Sequence, residues 1–152
     1  MRLSQKLDPE MVLISPAVED RGDLFRVFGT IFAEAKLVDS AGVVMERLLE
    51  REAILSTGIG GGVAVPHAQI PGLGRLVMAA STHPAGLDYP SLDKKPVRLV
   101  FCLLGDANTA ADHLAGLARL ARLARRTEAL EPLIESTSGP AFLEALERLE
   151  GA

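Results

Sequence analysis

Three histidines are the main chemistry-bearing side chains of this 152-residue sequence, and His67 has the most distinctive surroundings. It closes "STGIGGGVAVPHA", residues 56–68, where four of the five residues 58–62 are glycine. Glycine-rich turns can cradle phosphates with backbone N–H groups. A dinucleotide fingerprint begun at Gly58 needs glycine where Val63 stands, with a helix after the turn. A P-loop needs a closing Gly-Lys-Ser/Thr, which is absent. Two readings stay open: a permissive connection, or clearance for the close approach of another molecule's backbone. Pro66 holds Val65 extended, so the chain runs straight to His67 and presents the imidazole at a strand end. A lone surface or core histidine remains the plain alternative.

His113 gives His67 a candidate companion. At 100° per residue, Leu117, Leu120 and Ala124 lie within roughly 40° of it, and Arg119, Arg122 and Arg126 lie opposite. His113 therefore sits on the apolar stripe in the first turn of a helix that directly follows a strand. A helix N-terminus there favours a bound anion; a buried histidine bonded to backbone is the alternative. Arg51, just ahead of the glycines, can present a planar donor to an anion or simply complement a helix C-terminus. His83, in "STHPAG", reads as part of a turn. The histidine spacing matches no metal site, and Cys102 in "LVFCLLG" reads as a buried small hydrophobe.

The elements that must position these groups follow from periodicity and punctuation. Strands are expected at 11–14, 63–65, 75–82 and 97–104. Helices are expected at 20–35, 41–52, 108–126, 128–136 and 139–149. Asp39 or Ser40 can cap the second helix, whose apolar side carries Val43, Val44, Leu48 and Leu49. The order β-α-α-β-β-β-α-α-α predicts an α/β protein: a three-layer α/β/α sandwich around a mixed sheet, with residues 1–152 as a single domain.

Composition narrows the function. Aromatics make up 4% of residues, with no Trp and one Tyr, too few for a stacking platform on single-stranded nucleic acid. A net charge of −4 lacks the basic footprint of a DNA binder. One cysteine, the lack of an apolar leader and the lack of a membrane-length apolar run lead us to expect a cytoplasmic protein without direct membrane insertion.

"REAILSTGIGGGVAVPHA", with "PVRLVFCLLGDANTAADHLAGLARLARLAR" after it, resembles the IIA components of the bacterial phosphoenolpyruvate:sugar phosphotransferase system. The similarity is to the mannitol/fructose type, which includes nitrogen-regulatory IIA proteins, and it spans nearly the whole chain. It implies a phosphocarrier, a component of a phosphotransferase rather than an enzyme acting alone on a sugar. His67 corresponds to the phosphorylated histidine of the family, and Arg51 and His113 to the residues flanking it. The donor implied is a histidine phosphocarrier protein, and the acceptor a IIB protein or a regulated target. A non-catalytic regulator gated by its phosphorylation state is the alternative. With that resemblance, the loop residues Ser56, Thr57, Gly58, Gly60 and Gly62 become expected phosphoryl contacts. No cofactor and no metal is expected at the site. Ala68-Gln69 and "GDANTAAD" depart from relatives, which leaves the docking partner open.

Overall fold

The computed structural model describes residues 2–151. Among these described residues, six strands and five α-helices form three layers. The strands are β1 (Val12–Ile14), β2 (Gly58–Gly60), β3 (Val63–Ala64), β4 (His67–Gln69), β5 (Val77–Leu87) and β6 (Val97–Gly105). The helices are α1 (Arg21–Glu34), α2 (Ala41–Ile54), α3 (Ala110–Ala124), α4 (Glu131–Ile134) and α5 (Gly139–Gly151). The sheet runs β1-β5-β6-β3-β2, with β4 also paired to β6. It is mixed: β1 is parallel to β5, β5 antiparallel to β6, and β3 and β4 both parallel to β6. Helices α1 and α2 pack on each other and reach β5 and β4, while α3, α4 and α5 pack against β6, β5 and β1.

The core is aliphatic around a few phenylalanines, as the scarcity of aromatics requires. On α1, Leu24, Phe25, Phe28 and Phe32 are fully buried, at spacings of one helical face. Strand β6 is buried along almost its whole length, as a central strand covered on both faces must be. Asp20 and Ser40 cap α1 and α2 by accepting N–H bonds from Asp23 (2.9 Å) and Val43 (3.2 Å). Val44 and Leu48 of α2 are buried, whereas Val43 and Leu49 sit at the edge of the stripe and are partly exposed.

The expected order of elements holds, with two short strands added and one strand lengthened. The glycine segment is itself a hairpin, β2 pairing with β3 around a turn in which Gly60, Gly61 and Gly62 all have positive φ. Extended chain also continues past Pro66. Strand β4 starts at His67 and keeps the register of β3 on β6, so His67 heads a strand instead of ending one. Pro66 has no N–H to give, yet its carbonyl accepts from Leu103 N–H at 3.0 Å, which carries the ladder across the break. β5 runs on to Leu87 through "STHPAG", so His83 lies within a strand and is buried, not in a turn.

Candidate functional site

Pairing with Leu103 places His67 near the carboxyl end of β6. The chain then passes from β6 into α3 through Asp106 and a short 3-10 turn, Ala107–Thr109. Asp106 accepts from Asn108 N–H at 2.9 Å and gives its own N–H to the Thr109 hydroxyl at 2.8 Å, a reciprocal cap on the 3-10 turn that runs directly into α3. Gly105 is what lets this turn close on the sheet. A Cβ there would stand 3.1 Å from His113 Nδ1 and press on Thr109. The first turn of α3 thereby brings His113 to His67, their ring centroids 5.2 Å apart and their planes at 76°.

The two imidazoles differ in how they are tied. His67 is half-buried, and its Nδ1 lies 2.8 Å from the Val65 carbonyl. Nδ1 must carry the proton to donate to that carbonyl, so Nε2 keeps a free lone pair. His113 is 8% exposed, and its Nε2 has no hydrogen-bond partner. A buried polar atom left unpaired is uncommon and costly. Burial is the largest influence on both rings and lowers both pKa values. Arg51 lowers that of His67 further against the opposing Val65 bond, and His67 lowers that of His113. Both rings are thus held toward the neutral form, which a nucleophile requires.

Arg51, in the last turn of α2, lines the same cleft and donates from Nη1 to the Leu55 carbonyl at 2.9 Å. It therefore serves the helix C-terminus and faces the imidazoles at once. The cleft has a volume of about 500 Å³ and lies between α2, β4 and α3. Arg47 and Ile54 of α2, Gln69 of β4 and Leu114 of α3 also line it. Ile54 and Leu114 are 80% and 70% exposed, an apolar rim around a polar floor.

The structure brings His67, His113 and Arg51 together and places the five loop residues elsewhere. None of Ser56, Thr57, Gly58, Gly60 and Gly62 lines the cleft. Ser56 gives its hydroxyl to the Pro90 carbonyl, Thr57 is buried against Glu52 and Tyr89, and Gly58 bridges to Ser91. At the turn, Gly61 N–H donates to Asp93, and a Cβ there would meet the Ala124 carbonyl. Gly58 and Gly61 are closely packed within the chain, while Gly60 and Gly62 supply positive φ with no crowding.

Glu52 and Tyr89 escaped the sequence reading. Glu52 falls on the Val44-Leu48 stripe of α2, and a carboxylate in that register is the signal that identifies it. Tyr89 donates to it from the segment after β5, and burial, followed by the Glu52 charge, pushes the phenol pKa up.

A model of the family described as "Phosphoenolpyruvate-dependent sugar phosphotransferase system, EIIA 2" matches residues 5–149. A nitrogen regulatory protein of Bradyrhizobium diazoefficiens is 32% identical over 146 residues, 96% of this chain and 95% of that protein. The fructose-specific EIIABC component of Bacillus subtilis is 28% identical over 146 residues, which span 96% of this chain but only 23% of that longer protein. The crystal structure of nitrogen regulatory protein IIA-Ntr from Neisseria meningitidis superposes with a TM-score of 0.86 at 28% identity, over 95% of this chain and 98% of that one.

Proposed function

The chain belongs to the EIIA 2 family of the phosphoenolpyruvate-dependent sugar phosphotransferase system, and on that footing we propose that it is a phosphocarrier whose acceptor atom is His67 Nε2. The observation that carries this reading is the pair of rings. One imidazole is tied by Nδ1 so that Nε2 is free, and beside it lies a second whose buried Nε2 lacks a partner.

In the step we propose, the Nε2 lone pair attacks the phosphorus of a phosphohistidine on the donor carrier protein. The new N–P bond forms as the donor's N–P bond breaks, and that electron pair returns to the donor ring. Both rings keep the proton on their other nitrogen, so no proton need move. Transfer of this kind asks for alignment and charge stabilisation more than covalent help. The Arg51 guanidinium meets the phosphoryl charge, and His113 offers Nε2–H to one of its oxygens. The exposed Ile54 and Leu114 give the donor an apolar footing small enough to release.

We favour the regulatory output on the 0.86 TM-score with IIA-Ntr; identity does not separate it from sugar import, at 32% with a nitrogen regulatory protein and 33% with a fructose-specific EIIA component. Under either output the carrier works in the cytoplasm, where its donor is charged from phosphoenolpyruvate. A IIB protein or a regulated target then takes the phosphoryl group or reads it. Incubation with phosphoenolpyruvate, the general phosphotransferase enzyme and the histidine carrier protein should label the chain with acid-labile, base-stable phosphate. Label that persists in His67→Ala, or no label on the unaltered chain, overturns the reading.

A further inference from the structure

Position 52 carries a group that the packing of α2 does not require. Val44, Leu48 and Glu52 share the helix's buried stripe, and Glu52 is 4% exposed. An apolar side chain there would avoid the desolvation of a carboxylate, which hydrogen bonds must otherwise offset. The offset is built from three elements. Glu52 Oε2 accepts from Thr57 N–H at 3.1 Å and from Arg21 Nη1 at 3.3 Å. Oε1 accepts from Tyr89 Oη at 2.6 Å and from the Thr57 hydroxyl. Arg21 opens α1, Thr57 leads into the glycine hairpin, and Tyr89 follows β5.

The line of hydrogen bonds does not stop at Thr57. Its carbonyl accepts from Val65 N–H at 3.0 Å, and the Val65 carbonyl faces His67 Nδ1 at 2.8 Å. Only Thr57 and Val65 stand between the carboxylate and the imidazole. We propose that Glu52 is a positioning residue for phosphoryl transfer, fixing through Thr57 and Val65 the carbonyl that holds His67 with Nε2 free. The buried Glu-Thr pair thereby links the two ends of the motif: residues 51–57 orient what residues 65–67 present. A carbonyl that drifts lets the ring turn or change tautomer, and either event removes the lone pair from the line of attack.

Electrostatics points the same way. Burial dominates the lowered His67 pKa, Arg51 adds to the lowering, and the Glu52 charge opposes it. The charged and titratable groups around the ring are Arg47, Glu50 and Arg51 on the cleft side of α2, Glu52 behind it, and His113 from α3.

The inference rests on His67 being the phosphoryl acceptor, and its test separates the two. Transfer from phosphorylated carrier protein is measured against pH and donor concentration for the wild type, Glu52→Gln, Thr57→Val and Thr57→Ser. The ring nitrogens of His67 are followed by ¹⁵N NMR in the same proteins, with the folded fraction checked by circular dichroism. Glu52→Gln should lower kcat about tenfold or more with KM for the donor nearly unchanged. It should also shift the His67 titration to lower pH and mix its tautomers. Thr57→Val, which keeps the backbone donor but loses the hydroxyl, should show a smaller loss, and Thr57→Ser should restore wild-type behaviour. Folded Glu52→Gln and Thr57→Val proteins with wild-type kcat, titration and tautomer overturn the proposal. If Glu52→Gln fails to fold, the Thr57 pair decides by the same readouts. A wild type that takes no phosphate defeats the phosphocarrier reading instead, and the tautomer comparison still decides the role of Glu52.

Discussion

His83 and His113 are nearly equally buried, at 6% and 8% exposed, yet their surroundings differ. His83 lies inside β5 with Nε2 2.8 Å from the Ser81 hydroxyl, a polar pair closed within the core. His113 stands on the first turn of a helix with Nε2 unpaired, in contact with a second imidazole and open to a cleft with an arginine. Burial lowers the pKa of both. A depressed histidine pKa therefore does not distinguish core from site in this protein. What distinguishes them is whether the ring's Nε2 already has a hydrogen-bond partner.

Substitution should separate the two rings. In His113→Ala, loss of a donor to the transferring group should slow phosphoryl transfer about a hundredfold. Stability should change little beside that, because no existing Nε2 bond is broken. A loss of several kcal/mol in the melting equilibrium, with transfer untouched, would make His113 a packing residue like His83. Arg51→Gln should cost less, roughly tenfold, since the guanidinium is partly solvated. It should also raise the His67 titration seen by NMR, the opposite direction to Glu52→Gln, because Arg51 opposes protonation of the ring. A His67 titration that stays in place would separate Arg51 from the site.

His83→Gln should leave transfer within about twofold of wild type and change only the acid response. Burial pulls the His83 pKa down to about 4, below the value of about 6.5 in an unfolded chain. The unfolded state then takes up the proton first as pH falls. Stability is complete above about pH 6.5 and is lost progressively toward pH 4. Removing the group should flatten that slope by roughly 2 kcal/mol between pH 7 and 4, read from urea midpoints across the range. His67 and His113 have the same sign of shift and should account for part of the slope that remains.

How much of this was legible in the sequence depends on the range of the interaction. The helices and the long strands follow from periodicity and punctuation, which are local signals; His67, His113 and Arg51 stand out as candidates in the same way, and the family resemblance of the quoted motif groups them as one proposed site. β2 and β4 were missed because they are three residues each and one is mostly glycine, whose strand character comes from the neighbours that pair with it. "STHPAG" carries turn residues, yet β5 continues through His83 because Thr82 and Ser81 are paired on both sides, to β1 and β6. The crowding at two of the glycines is hidden from the sequence for a related reason. What crowds Gly58 and Gly61 lies about thirty to sixty residues further along the chain, at Pro90, Ser91 and Ala124, so their need for space is tertiary. The Glu52-Tyr89 contact has the same character, being visible only as a carboxylate on the wrong face of α2.

The account rests on one atom. Nδ1 of His67 is engaged by the Val65 carbonyl, so the proposed transfer uses Nε2. The most direct test is ¹H–¹⁵N NMR of the protein labelled by its phosphorylated carrier, read for N–P coupling at each nitrogen of His67. Coupling at Nε2, with Nδ1 still protonated, is the predicted result. Coupling at Nδ1, or phosphate on any residue other than His67, would contradict it.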